Sequence, residues 1–433
     1  MAEAGWERGD LLDRDFPVHL EALRAAGPDF LTTAFRSTGS IGPGDRVAAI
    51  TRLEPFRGGS TGRKALLDVT YAGSAPDLPE HLFVKFSRDL DDEVRDRGKR
   101  QMEPEVRFAL LSQIPDFPVA VPRCLFGEYR VESGSGLLVS ERIAFGADGI
   151  EPHHAKARDH ELDDLLGHYD ALVAALARLA GADRAGRFPD DVMAHFEARP
   201  RTGARRGRAP EPREEVRDRV LRYAAFAARS PQLLPPAIRS EEFIAELLDV
   251  VPRSVEHADA LRAAWEEQAD DLVAFCHWNA NIDNAWFWRD AHGDLACGLM
   301  DWGNVGRMDV VTALASSLCF TEPDFLVEHL DHFLDLFAAV FEDSGGGPLD
   351  PDLLRRRFGL HVVAGGLRWP LGTVPLIERH VPYLDAVTGR LDPRIADDEF
   401  VRTQLHLLTS YLVLWQACDA REVIDRAVRR AGS

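Results

Sequence analysis

Hydrophobic periodicity changes once along this chain, near Gly146, and that change limits the folds open to it. Before it, from about residue 46 to 143, apolar residues alternate in short runs. Leu67, Val69 and Tyr71 alternate with Asp68 and Thr70, the period of a strand with one buried face. HLFVKFS at 81–87 reads as a further strand, and PRCLFGEY and GLLVSERI within 122–143 complete a sheet. A helix beginning near Pro104 interrupts the strands, because proline suits a first helical turn. Ahead of the sheet, residues 17–36 read as two short helices split at Gly27-Pro28, within an N-terminal helical extension spanning 1–45.

Beyond Gly146 the pattern is helical. Leu162, Leu165, Leu166, Tyr169, Leu172, Val173, Leu176 and Leu179 form one apolar stripe over 161–180. Helical periodicity returns after residue 240 and runs onward, apart from a hairpin-like stretch at 283–302. Segment 199–214 is rich in Pro, Gly and Arg, has no apolar side chain larger than alanine, and reads as a mobile loop. The expected fold class is therefore α+β. A small mixed α/β lobe (46–143) precedes a large, mainly helical lobe (144–433), with a cleft between them.

Charge and cysteine content exclude several functions. With 51 Lys+Arg against 71 Asp+Glu the net charge is −20, which argues against nucleic acid or an anionic membrane as partner. The five cysteines are widely spaced with no C-x-x-C pair, which points to a reducing compartment. The acidic first sixteen residues lack the apolar core of a secretory leader. The most apolar helical stretch, Ala171 to Ala182, is broken by Arg178 and is shorter than the ~18 residues of a membrane span. A cytoplasmic protein is expected.

Lysine is scarce: Lys64, Lys85, Lys99 and Lys156 stand among 47 arginines (51 − 4). Lys85 lies inside the apolar run Leu82-Phe83-Val84-Lys85-Phe86, where a cation is costly unless it is paired. Facing a cleft, its ammonium suits phosphate oxygens as a point charge. Glu105, in the first turn of the next helix, is an available partner. Upstream, Gly58-Gly59-Ser60-Thr61-Gly62 permits a tight turn whose amides can approach phosphate, although the Walker pattern is absent. The densest polar constellation is Cys276-His277-Trp278-Asn279-Ala280-Asn281-Ile282-Asp283-Asn284, followed by a strand that ends in Asp301-Trp302. Asn284 and Asp301 across that hairpin offer the hard oxygens that Mg²⁺ prefers. His153, His154, His160 and His168 have the spacing of no common metal site and are expected on helix surfaces.

Taken in order over residues 25–430, these pieces resemble the aminoglycoside/choline-kinase-like phosphotransferases, most closely the branch that includes ecdysteroid-kinase-like proteins. The resemblance implies a protein-kinase-like two-lobe fold that uses ATP and Mg²⁺ to phosphorylate a hydroxyl of a small molecule. It places Gly58, Gly59 and Ser60 over the phosphates, Lys85 on them, Glu105 behind Lys85, and Ser140, Glu141 and Ile143 against adenine. It places His277, Asn279 and Asp283 at the chemistry, with Asn284 and Asp301 on the metal. Ala175-Leu176-Ala177-Arg178-Leu179 matches its A-L-A-x-L-H helix, with Ala180 where histidine is usual. The chain departs from the pattern at the catalytic Asp, here Asn279, and at Trp278, where a small residue is usual. An amide cannot accept a proton at neutral pH. Asp283 is left either to act as base or to serve the metal beside Asn284. The alternative implied function is a nucleotide-binding pseudokinase or regulatory module.

Overall fold

A computed structural model describes residues 5–59, 61–73, 77–196, 212–267, 269–365 and 367–432. A short antiparallel ribbon, β1 (Trp6–Arg8) with β2 (Asp15–Pro17), comes first. This corrects the expectation of a helical N-terminal extension over 1–45, which carries strands ahead of its helix. What holds the ribbon is Glu128, fully buried, whose carboxylate accepts from the amides of Leu11 (2.8 Å), Leu12 (2.9 Å) and Arg14 (3.3 Å). Helix α1 (Leu20–Ser37) follows, kinked at Gly27, whose φ of 65° splits it where expected.

The five-stranded antiparallel sheet has the order β3-β4-β5-β7-β6, from β3 (Arg46–Phe56), β4 (Arg63–Ala72), β5 (His81–Phe86), β6 (Cys124–Arg130) and β7 (Ser135–Glu141). Alternation gives it two different faces. Ala65, Leu67, Val69, Leu82, Val84 and Phe86 pack with Leu23, Leu31 and Phe35 of α1. The opposite face carries Lys64 and Lys85, directly paired across β4 and β5, with Leu138 next to Lys85 on β7. A single turn, α2 (Glu93–Asp96), and helix α3 (Met102–Leu111) follow β5. Met102 and Val106 of α3 close this second face against Cys124, Tyr129 and Leu138.

In the helical lobe, α4 (Leu165–Arg184) is the central element, with Tyr169, Leu172, Val173, Leu176 and Leu179 buried. Two small ribbons lie beside it, β8 (Val273–Cys276) with β11 (Gly306–Asp309), and β9 (Ala285–Arg289) with β10 (Leu295–Leu299). The chain is therefore an α+β protein with a small N-lobe and a larger helical C-lobe, the two-lobed arrangement the resemblance implies. Of segment 199–214, residues 199–211 lie outside the described residues, and the helix Arg213–Arg229 begins inside it. All five cysteines are free thiols. No helix among the described residues is long and apolar enough to cross a membrane.

Candidate active site

The sheet's polar face, the start of α3 and the β9–β10 hairpin meet at Lys85. Its Nζ donates to Glu105 Oε1 at 2.5 Å and to Asp301 Oδ1 at 2.7 Å, which joins both lobes through one ammonium. Burial works against the charge, but the two carboxylates outweigh it and hold Lys85 above the ordinary lysine range. Lys85 in turn keeps the Asp301 carboxyl far below the usual carboxylate range. Glu105 moves the other way, pushed up by burial and by the charge of Asp301, against the pull of Lys85. Asp301 has φ +60°, a left-handed conformation that Asp tolerates better than most residues and that marks a constrained site.

Stacking on α3 aligns these groups. Phe108, one turn beyond Glu105, lies face to face with Trp302 at 3.7 Å between ring centroids, and His277 meets the same indole at 4.4 Å. Trp302 Nε1 donates to Leu299 O at 2.9 Å. The residue that follows the metal-ligand candidate therefore fixes α3 to the hairpin, and Glu105 with it.

His277 does not face the cleft. It is fully buried, its Nε2 donates to Met300 O (2.9 Å), and its Nδ1 accepts from the Asn279 amide (3.1 Å). Burial pushes its pKa down to about 4, so the ring stays neutral and staples the loop to the end of β10. Asn284 Nδ2 donates to Asn279 O (2.8 Å), and Asn284 O accepts from the Met300 amide (2.9 Å). These bonds place Asn284 beside the Asp301 turn and leave its Oδ1 as a donor atom. One neutral oxygen and one carboxylate fit Mg²⁺, which takes one or two protein carboxylates and completes its shell with phosphate and water.

Asn279 is half-buried and paired with Asn281, whose amide lies 2.6 Å away. With its amide turned to satisfy its surroundings, Asn281 donates to Ser316 O and Ser317 O, both at 3.0 Å, and its oxygen faces Asn279. Asn279 must then donate to it and present its own oxygen elsewhere. Trp278, 37% exposed, reaches over the loop and donates from Nε1 to Gly303 O at 2.8 Å. Asp283 is drawn away toward Lys156 (3.3 Å), with its other oxygen buried and unpartnered. Burial raises its pKa despite Lys156.

Gly59, with φ +67°, and Gly62 shape the turn before β4. A Cβ at Gly62 would lie 2.1 Å from Phe86 O, so only glycine fits there. Arg95 on α2 ties the turn down through Gly59 O (2.8 Å) and Gly62 O (2.7 Å), and Lys64 Nζ donates to Gly58 O (3.1 Å). Ser60 lies outside the described residues. Ser140, Glu141 and Ile143 stand half-buried where β7 leaves the sheet. The Glu141 and Arg142 amides bond Arg123 O (2.8 Å) and His81 O (3.0 Å).

Lys64 escaped the sequence reading. It is the direct neighbour of Lys85, and burial, then the Lys85 charge, lowers its pKa. Its signal was composition, since two of four lysines fall on adjacent strands. The histidines also need correction. His168 on α4 is buried, and His153 and His154 lie on the segment joining the lobes rather than on helix surfaces. His153 Nε2 donates to Asp283 O (2.8 Å), and His154 and His168 converge on Glu151.

No family model and no curated protein matches this chain. Similar solved structures include a macrolide 2'-phosphotransferase from Brachybacterium faecium, with 14% identity over 83% of this chain and 96% of that one and a TM-score of 0.36. Another is a choline kinase from Cryptosporidium parvum, with 12% identity over 87% and 91% and a TM-score of 0.38. A microcompartment-associated aminopropanol kinase has 12% identity over 87% and 93% and a TM-score of 0.42.

Proposed function

We propose that this chain is an ATP- and Mg²⁺-dependent phosphotransferase of the aminoglycoside/choline-kinase-like kind, acting on a hydroxyl of a small molecule with chemistry slowed at Asn279. The observation that carries this reading is the Lys85 ammonium held between Glu105 and Asp301, with Asn284 one main-chain bond from the Asp301 turn. Lys85, oriented by Glu105, presents a fixed charge to the phosphates, with Lys64 beside it. Asn284 Oδ1 and Asp301 would hold Mg²⁺, which supplies charge neutralisation when bound. The glycine turn, pinned by Arg95, covers the same region, and the chain leaving β7 lines the adenine side. Asn279 orients the acceptor hydroxyl without taking its proton. Phosphoryl transfer tolerates this loss because it rests mostly on positioning and charge.

A second reading, a nucleotide-binding module without transfer, is favoured by the Trp278 indole fastened across the loop. ATP consumption against a panel of hydroxylated metabolites separates the two. The phosphotransferase reading expects slow wild-type turnover that Asn279→Asp raises toward the 10²–10⁴-fold range of general-base help. No turnover in wild type, Asn279→Asp, or Asn279→Asp with Trp278→Gly establishes the second reading. Binding of Mg·ATP by Asp301→Ala as tightly as by wild type removes the metal assignment from both.

A further inference from the structure

Two side chains of the segment joining the lobes meet a third on α4. Glu151 Oε2 lies 3.0 Å from His154 Nε2 and 2.7 Å from His168 Nε2, and all three atoms fall within 4.8 Å of one another. Glu151 and His154 belong to the segment joining the lobes, and His168 to the first turns of α4. The wall behind them is apolar: the Phe287 ring of β9 lies 4.7 Å from the His168 ring and 5.8 Å from that of His154. The Glu151 amide donates to Phe287 O at 2.9 Å, which fixes its backbone to the hairpin.

The bonding of His168 is the informative detail. Its Nδ1 lies 2.6 Å from Asp164 O, a carbonyl, so Nδ1 carries a proton. The opposite nitrogen therefore points its lone pair at the carboxylate of Glu151, unless something positive stands between them. A second proton meets that need, and so does a metal ion. An imidazole whose far nitrogen donates to a backbone carbonyl has the orientation found in metal-ligating histidines. The histidine is only 4% exposed, so its ring cannot turn to water for relief.

We infer that Glu151, His154 and His168 form a site for a zinc-class divalent transition-metal ion, separate from the phosphate-binding cleft. Two imidazoles and one carboxylate are the donor set of three-ligand zinc sites that keep a fourth position for water. Ligands at 2.0–2.1 Å from a tetrahedral ion stand about 3.4 Å apart, so the two imidazoles need to close by at most about 1.4 Å and the carboxylate oxygen to back away by about half an ångström. His154 is partly exposed, with its side chain 19% accessible, and gives the ion a path from solvent. Mg²⁺ is a poor occupant because imidazole nitrogens suit borderline ions. The bound ion fastens the joining segment to α4. His153, next to His154, already holds the loop through Asp283 O. The site is thus a clasp behind the catalytic loop, and it does not depend on the function proposed above.

The test is Zn²⁺ titration of the EDTA-treated full chain against a chromogenic chelator, without nucleotide, alongside the visible spectrum with Co²⁺. One equivalent of tightly held Zn²⁺, a tetrahedral Co²⁺ spectrum and a higher melting temperature with Zn²⁺ are expected. Glu151→Gln and His154→Asn involve partly exposed side chains, and circular dichroism checks that they fold. Each should weaken binding by more than the about 10–100-fold that loss of an outer partner costs. His292→Ala, an exposed histidine elsewhere, and Asp301→Asn should both retain the ion. If wild type binds no better than the Glu151→Gln/His154→Asn double variant, the three side chains form a hydrogen-bonded cluster only and the inference falls. Loss of the ion in Asp301→Asn overturns it as well, by moving the metal to the cleft.

Discussion

Asn279 illustrates how one amide can serve two neighbours. Its nitrogen answers the oxygen of Asn281, because Asn281 has spent its own donors on Ser316 O and Ser317 O. An aspartate at 279 would set two acceptors against each other, and Asn281 could meet it only by giving up both serine carbonyls. Asn279→Asp should therefore cost about 1–3 kcal/mol of stability, read from urea midpoints, even as it raises turnover. Lys85 is read by a different contrast. On the proposed function, in which the ammonium meets only phosphate, Lys85→Met should weaken triphosphate binding more than adenosine binding in a titration; equal losses would show that the lysine is misplaced. Lys85, Glu105, Asn284 and Asp301 were legible in the sequence because each sits in a local pattern with its own chemical reason. Lys64 was not, because only the register between β4 and β5 brings it to Lys85. The partnership of Asn279 was equally hidden, since it turns on carbonyls in a distant helix.

Among the elements, α3 connects the lobes. It presents Glu105 and Phe108 on one face, the first to the ammonium and the second to the Trp302 indole. Phe108→Ala removes a ring that is 1% exposed and should cost about 3–5 kcal/mol. It should also weaken nucleotide binding, because Glu105 loses its stacked support; calorimetry and Mg·ATP titration of the same preparation check both. Glu128→Gln tests the N-terminal ribbon. An amide oxygen cannot replace two carboxylate oxygens shared among several backbone amides, so about 1–3 kcal/mol should be lost, with protease cleavage appearing first before Pro17. The strands with strict alternation were visible from sequence, whereas β3 and the ribbon were not. In β3 the register slips between Val47 and Ala49 and again between Ile50 and Arg52, and each slip breaks the two-residue period that identifies a strand. The ribbon strands have three residues each, too few to show a period, and a carboxylate far along the chain holds them.

For the whole molecule, pH acts through groups that the core isolates. Asp159 is 1% exposed, accepts from Tyr169 Oη at 2.7 Å and has a second oxygen without a partner. Burial, with the charges of Glu322 and Asp283 nearby, pushes its pKa up to about 7. The unfolded chain releases this proton near pH 4. Between those values the folded state binds the extra proton, so this contribution to stability is complete below about pH 4 and is lost as pH rises toward 7. The stability of Asp159→Asn relative to wild type should accordingly grow by several kcal/mol from pH 4 to 7 in urea melts. A flat difference would mean that Asp159 ionises as an ordinary carboxylate.

The near-absence of lysine has a chemical consequence. Lys64 and Lys85 share the cleft, Lys156 lies at 3.3 Å from Asp283, and Lys99 is paired with Asp96 at 2.9 Å. Because arginine carries nearly all the positive charge elsewhere, acylating reagents have few side chains to modify outside this neighbourhood. Within it they should discriminate. Lys64, its pKa lowered, offers the free amine first, while Lys85 stays protonated between two carboxylates and lags. Peptide mass spectrometry after brief acetylation at neutral pH should find Lys64 modified well ahead of Lys85, and a nucleotide lying over both should slow the two together. A chain built almost wholly on guanidinium thus carries an amine label addressed to its own cleft.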